Sequence, residues 1–304
     1  MTSLTRRATL KVGAVATAAA MSAPINAFAS DPTSPFSIIE RGKHFARCQF
    51  GDLAIVALCD GYVDMPPSRL RQAGGEPFDV LPSQVALVDG QLRLSVNAYL
   101  IIENDQHLLV DTGASDSWEP TMGLLLDALA EAGIPREAIT NVALTHTHTD
   151  HVNGLIAAGG GPAFPRLERL FVPKDEAVMF ETSSRLAAVR ELVVPVDNNF
   201  PISDRVTAVN AFGHSIGHTA YQVEAGEERL LVMGDIIHVP SLQFDRPEVT
   251  WELDGDQEEA LKARLEILGR ASGPNYLVAG MHLDFPGIGK VTRHRSAFSF
   301  MPLT

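Results

Sequence analysis

The chain has 304 residues, 45% of them hydrophobic and 20% charged, which is enough to bury a core without staples and too apolar for a disordered chain. Against 24 Lys and Arg stand 37 Asp and Glu, a formal charge of −13. An acidic protein repels phosphate backbones, which argues against a nucleic-acid partner.

The first thirty residues differ from the rest. Arg6, Arg7 and Lys11 occur with no acid among them, followed by the mostly small and apolar run Val12–Met21 and by Ala27-Phe28-Ala29. A basic region, an apolar region and a small-residue cleavage site make an export signal. Thr5-Arg6-Arg7-Ala8-Thr9-Leu10-Lys11 resembles the twin-arginine type, with Thr9 where a bulky apolar residue is common. The apolar run is short of the roughly 20 residues a membrane span needs. The expectation is therefore a signal over 1–30, one domain over 31–304, a periplasmic or secreted location and no stable membrane insertion. The two cysteines, Cys48 and Cys59, either pair in an oxidising compartment or remain buried thiols. Two are too few for a thiolate zinc site, so any metal chemistry must use His and carboxylates.

In chain order, Leu53–Leu58 reads as a strand ended by Asp60-Gly61, and 62–90 as an irregular stretch or lid. Val96–Ile102 and His107–Val110 flank Asn104-Asp105 as a hairpin that leads into Asp111-Thr112-Gly113. Met122, Leu125, Leu126 and Leu129 recur at helical spacing, so 121–132 is an amphipathic helix stopped by Gly133. Asn141–Thr145 and Leu170–Val172 are short strands, and Ala177–Val189 is helical. Val206–Phe212 is a strand, Thr219–Val223 and Arg229–Val232 form a hairpin, 256–270 is a helix and Tyr276–Ala279 a strand. Phe298-Ser299-Phe300-Met301 is either a terminal strand or an interface. Strands and helices mix in both halves with no linker between them, which fits an α/β sandwich with helices on the outer faces.

Six of the ten histidines fall in a pattern that carries chemistry. His146, His148, Asp150 and His151 put four potential ligands in six residues just past a strand. His146 and His148 share a side if the strand end stays extended. His214 and His218 lie in Gly213-His214-Ser215-Ile216-Gly217-His218, and Asp235 and His282 each follow an apolar strand. Imidazole and carboxylate suit divalent metals, and a surface loop has no other use for such density. No Gly-x-Ser-x-Gly elbow offers a serine nucleophile.

His-x-His-x-Asp-His, a distant Gly-His-x-x-Gly-His, a later Asp and a later His resemble the metallo-β-lactamase superfamily, and Asp111-Thr112-Gly113 matches as well. The likeness spans about residues 50 to 295. It implies an αββα sandwich with a two-metal site at one edge of the sheets. Gly234-Asp235-Ile236-Ile237, Gln243-Phe244-Asp245 and His282-Leu283-x-Phe285-Pro286-Gly287, with the export signal, are similar to the methyl parathion hydrolase branch, whose members hydrolyse phosphotriesters, lactones or esters and are often dimeric.

The resemblance implies that His146, His148 and His214 hold one metal and that Asp150, His151 and His282 hold the other. Asp235 then bridges them together with a hydroxide, and Asp150 steers a proton. Asp111 and His218 support the ligands from behind. Trp118, Phe180 and Phe285 line an apolar substrate pocket shaped by 62–90 and 175–200. Two divalent ions are expected, zinc first, although Mn, Fe and Co suit the same ligands. The substrate expected is a small lactone, ester or phosphotriester, and the assembly a homodimer. Two alternatives stand: hydrolytic dehalogenation of an aromatic halide at the same site, and a non-catalytic metal-binding protein. β-Lactam hydrolysis is disfavoured, because the commonest zinc β-lactamases carry a cysteine where Asp235 stands.

Overall fold

Alternation along the strands sets the architecture. In strand Leu53–Met65, Ile55 and Ala57 face one side and Val56 and Leu58 the other, and all four are fully buried. A sheet apolar on both faces must be covered on both. The computed structural model, which describes residues 36–303, shows how this is done; the expected export signal lies outside those residues.

Eight strands form the first sheet, in the order Phe36–Arg41, Phe45–Phe50, Leu53–Met65, Leu92–Glu103, Gln106–Val110, Asn141–Ala143, Arg169–Pro173 and Val193–Val196. Six form the second: Val206–Asn210, Thr219–Ala225, Glu228–Val232, Tyr276–Ala279, Ile288–His294 and Ala297–Pro302. Their inner faces share one core, in which Cys48, Ile55, Tyr99 and Ile101 meet Tyr221, Val223, Leu230 and Val232. The outer face of the first sheet packs Val56, Leu100 and Leu109 against Leu125 and Leu129 of helix Leu125–Glu131. The outer face of the second packs Leu231 and Val278 against Ile267 and Leu268 of helix Gln257–Ala271. The result is a helix–sheet–sheet–helix sandwich, as expected. Asp256 starts the second helix by accepting from the N–H groups of Glu258 and Glu259, each at 3.0 Å.

Several local expectations need correction. The strand expected to end at Asp60-Gly61 runs on to Met65, with a bulge between Cys59 and Gly61. The reason is close approach: a Cβ on Gly61, whose φ is +127°, would lie 2.0 Å from the Thr121 carbonyl oxygen. The bulge turns Asp60 inward, where its carboxylate accepts from the N–H groups of Ala114 (2.9 Å), Gly123 (3.1 Å) and Leu125 (2.9 Å). Leu124 N–H donates to the Asp60 carbonyl, which bends 121–124 away from helical geometry and leaves only Leu125–Glu131 helical. Asp60→Ala would strand three donors, and a buried orphan costs about 1–3 kcal/mol, so stability should fall by about 3 kcal/mol or more. A shift of the denaturation midpoint at unchanged m would show it.

The helix expected over Ala177–Val189 is instead a short helix, Val178–Thr182, and a 3-10 segment, Arg185–Leu192, separated at Ser183, whose ψ is 119°. Serine pairs compete with helical hydrogen bonding through their side chains. Within 62–90 a 3-10 turn, Pro67–Arg69, leads to Leu70–Arg71, which pairs with Thr250–Trp251 and carries Trp251 towards the sheet edge. Both cysteines are free; Cys48 lies opposite Ile55 and Cys59 opposite Asn97, and burial pushes the Cys48 thiol up to about 12. Phe298–Met301 lies in the final strand. Among the described residues no helix is long and apolar enough to cross a membrane.

Candidate metal centre

The parallel strands place the functional side chains at one rim. Gln106–Val110, Asn141–Ala143 and Arg169–Pro173 run parallel in the first sheet, and Glu228–Val232 and Tyr276–Ala279 in the second. Asp111, the 145–151 loop, Asp235 and His282 all follow their C-terminal ends. Cross-sheet hydrogen bonds fasten that rim. Thr219 N–H donates to the Thr145 carbonyl (2.9 Å), Tyr221 O–H to that of Leu144 (2.6 Å) and Asn97 N–H to that of Met281 (2.9 Å).

Asp235 lies at the centre. Its Oδ2 is 3.1 Å from His282 Nε2, 3.2 Å from His214 Nε2 and 3.8 Å from His146 Nε2, and its Oδ1 is 3.3 Å from His151 Nε2. Asp150 Oδ2 is 3.5 Å from His151 Nε2 and 3.6 Å from His282 Nε2. Ligand atoms of His146, His148, His214 and Asp235 lie within 4.8 Å of one another, and so do those of Asp150, His151 and His282. All seven residues singled out as ligands in the sequence are thus brought together. Six are buried, and His148 alone is exposed, on the cavity.

Three of the ligand rings are aimed by a partner on the nitrogen that faces away from the centre. His151 Nδ1 pairs with Asp111 Oδ2 at 2.7 Å, His214 Nδ1 with Asp254 Oδ1 at 2.9 Å and His282 Nδ1 with the Ser95 carbonyl at 2.8 Å. Such partners fix ring tautomer and orientation in metal sites. Asp111, at φ 60°, also accepts from Thr145 N–H and Oγ1–H, both at 2.7 Å. His218 spends both nitrogens, Nδ1 on the Ala211 carbonyl (2.8 Å) and Nε2 accepting the Asp235 N–H (2.9 Å). It therefore holds the Asp235 backbone and has no free nitrogen for a metal.

The donor set fits divalent ions. His146 Nε2, His151 Nε2 and Asp235 Oδ1 are buried with no hydrogen-bond partner. Orphaned buried polar atoms are costly, and here they point at a common centre of imidazole and carboxylate groups. His148 Nδ1 and His214 Nε2 are 3.0 Å apart, a separation that needs a proton or a cation near both. Burial and the neighbouring His214 hold His148 down at about 4. Burial alone would raise Asp150, but His151 and His282 outweigh it and hold the carboxyl at about 2.

A cavity of about 430 Å³ opens over these groups, walled by Val63, Met65, Leu94, Trp118, Trp251 and Leu253. Trp118 lines it and is 41% exposed. The other two aromatics expected there do not. Phe180 is buried in the outer core of the first sheet, because Val178–Thr182 turns its apolar side onto the sheet. Phe285 packs on the core between the sheets.

Three residues at the site escape a reading of the sequence. His238 Nε2 is 3.3 Å from Asp235 Oδ2, with its ring stacked between Trp251 (4.9 Å) and His282 (5.2 Å). Asp254 orients His214 and takes the Trp251 N–H (3.0 Å), backed by the buried Arg264 at 3.6 Å. Glu176 accepts from Thr147 and Ser215, residues adjoining three of the ligands. Only His238 leaves a trace in the sequence, as a histidine three residues after Asp235.

Over residues 92–280 the chain matches the Metallo-beta-lactamase superfamily. It belongs to that superfamily. No curated protein matches the chain. Among solved structures, AidC, described as a dizinc quorum-quenching lactonase, superposes with a TM-score of 0.76 at 22% identity, covering 86% of this chain and 98% of its own. The hydrolase AbOPH of the β-lactamase superfamily gives 0.75 at 25% identity, over 87% and 99%. A probable metal-dependent hydrolase from Staphylococcus aureus gives 0.65 at 20%, over 83% and 98%. Nearly the whole of each of these chains is therefore matched, and the metallo-β-lactamase fold accounts for both sheets and both helical layers.

Proposed function

We propose that this protein is a two-metal hydrolase of small, apolar lactones, esters or phosphotriesters, in the methyl parathion hydrolase-like branch of the superfamily. The observation that carries this is the cavity itself. Apolar walls from Val63, Met65, Leu94 and two tryptophans close on a floor of His148, Asp150, His214, Asp235 and His282. Ligand sites commonly combine apolar walls with a few placed polar groups. His146, His148 and His214 would hold one ion, Asp150, His151 and His282 the other, and Asp235 both. When bound, a pair of divalent ions supplies Lewis acidity and a nucleophile at neutral pH.

The chain's own residues do the rest. Trp118, Met65 and Leu253 hold the apolar part of the substrate and exclude water from the floor. Asp150 stays ionised and offers hydrogen-bond acceptors at the cavity floor. Asp111, Asp254 and the Ser95 carbonyl keep three rings aimed inward, so little reorganisation is needed when charge develops. Zinc is the first metal to test, since mixed His and Asp ligands suit it. We further propose that the chain is exported through its amino-terminal segment and acts as a homodimer.

The test is a substrate panel on protein whose metals are counted in the same sample: an acyl-homoserine lactone, an aryl ester, methyl paraoxon and a cephalosporin. Two metals per chain with turnover of lactone, ester or phosphotriester, and none of the cephalosporin, is the expected result. Two metals without any turnover would overturn the substrate reading and favour an aryl halide.

A further inference from the structure

We propose that Glu176 is a positioning residue for one metal site only, the one built on His146, His148 and His214. The proposal rests on the two-metal reading above. Glu176 lies in the 3-10 turn Lys174–Glu176 directly after strand Arg169–Pro173, the third parallel strand ending at the rim. It is buried, 7% exposed, and is satisfied by two hydroxyls and an amide rather than by Lys or Arg.

Those three donors belong to the two loops that carry the ligands. Oε2 accepts from Thr147 Oγ1, between His146 and His148. Oε1 accepts from Ser215 Oγ, next to His214, and from Gly217 N–H at 3.1 Å. The first loop follows a strand of the first sheet and the second a strand of the second sheet, so the carboxylate spans the two layers of the sandwich. It sits behind His148 and His214, whose ring nitrogens are 3.0 Å apart, and fixes how closely their loops approach.

Gly217, in the middle of the Gly-His-x-x-Gly-His run, is explained by the same brace. A Cβ there would lie 2.6 Å from Glu176 Cγ and 3.1 Å from Pro173 Cβ, so only glycine lets the loop reach the carboxylate. The other site is fastened elsewhere. His151 is held by Asp111 and His282 by the Ser95 carbonyl, with no hydrogen bond to Glu176. Loss of Glu176 should therefore separate the two sites.

Three donors require an acceptor. Glutamine keeps Oε1 for Ser215 and Gly217, and its amide can donate to Thr147 Oγ1, so Glu176→Gln should preserve the brace. Glu176→Ala removes it. Groups that orient metal ligands typically contribute about 10–100-fold to affinity.

The experiment is a zinc titration in a metal buffer, counting ions bound per chain at each free zinc level, on wild type, Glu176→Ala, Glu176→Gln and a Thr147→Val/Ser215→Ala double variant. In wild type two ions bind. In Glu176→Ala and in the double variant, one of the two should require about 10–100-fold more free zinc while the other fills as before. Glu176→Gln should fill and melt like wild type, whereas the metal-free melting temperature of Glu176→Ala should fall, because two hydroxyls and an amide lose their acceptor. The double variant tests the same loops if Glu176→Ala does not fold. Both sites weakening together, neither weakening, or a lowered metal-free melting temperature with unchanged zinc binding would each overturn the proposal. Fewer than two ions in the wild type would instead remove the two-metal reading beneath it.

Discussion

Replacing Asp235 with alanine should cost the protein at least one of the two metals proposed for it and nearly all turnover. Among the described residues no other side chain faces so many rings: His282, His214, His238 and His146 lie 3.1 to 3.8 Å from Oδ2, and His151 lies 3.3 Å from Oδ1. Of the seven candidate ligands only Asp150 and Asp235 bring negative charge, so the substitution halves the charge set against two divalent ions. Even groups that only orient ligands are worth about 10–100-fold in metal affinity or activity, and a shared ligand should exceed that. The fold should survive, because the turn carrying residue 235 is pinned through its backbone N–H by His218 Nε2 at 2.9 Å. Metal counting, kcat/KM and far-ultraviolet circular dichroism on one sample check this. Two metals with full turnover in Asp235→Ala would remove the bridging role; Asp235→Asn, which keeps the volume, separates charge from packing.

What was legible in the sequence was local. The His146–His151 loop announces itself because its ligands crowd one strand end and the helical turn Thr149–Val152 that follows. The strand and helix alternation, with apolar runs ending in Asp or His, was enough for the sandwich and for the rim. What was not legible depends on chain-distant packing. The choice between His214 and His218 is made by Ala211 and the Asp235 amide, which occupy the nitrogens of His218. Asp254 and Glu176 act across 40 and 39 residues on His214 and Ser215, and neither sits in a motif. Phe285 lies close to His282 in sequence and Phe180 stands apart from the motifs, and the face each occupies is set by which core takes it. At Asp60-Gly61 the usual turn signal loses to a bulge, because Gly61 must pass the Thr121 carbonyl.

Metal loading and stability should respond to pH in opposite directions in the two forms of the protein. Without metal, burial disfavours a charged ring at His151, His214 and His282, but the surrounding carboxylates outweigh it. Asp235 acts on all three, with Asp150 and Asp111 at His151, Asp254 at His214 and Asp150 at His282. His214 is raised to about 9, His282 is raised, and His151 is raised well above its ordinary value. Asp150 stays ionised, held at about 2, and His148 is neutral, held at about 4. A metal needs neutral imidazole, so binding near neutral pH must expel protons from the raised rings. Apparent affinity should then climb by up to about tenfold per pH unit for each proton displaced, until His214 titrates near 9. The metal-free protein should behave in reverse. A raised histidine stabilises the fold in full below its unfolded value of about 6.5, and that contribution fades as pH rises through the folded value. Melting temperatures between pH 6 and 9 should therefore fall for metal-free protein and rise for protein held at fixed total zinc. Calorimetric titrations in two buffers of different ionisation heat would count the protons released. Parallel melting trends with no proton release would mean that these rings are already neutral before the metal arrives, and that the carboxylates around them serve the ligands by geometry rather than by charge.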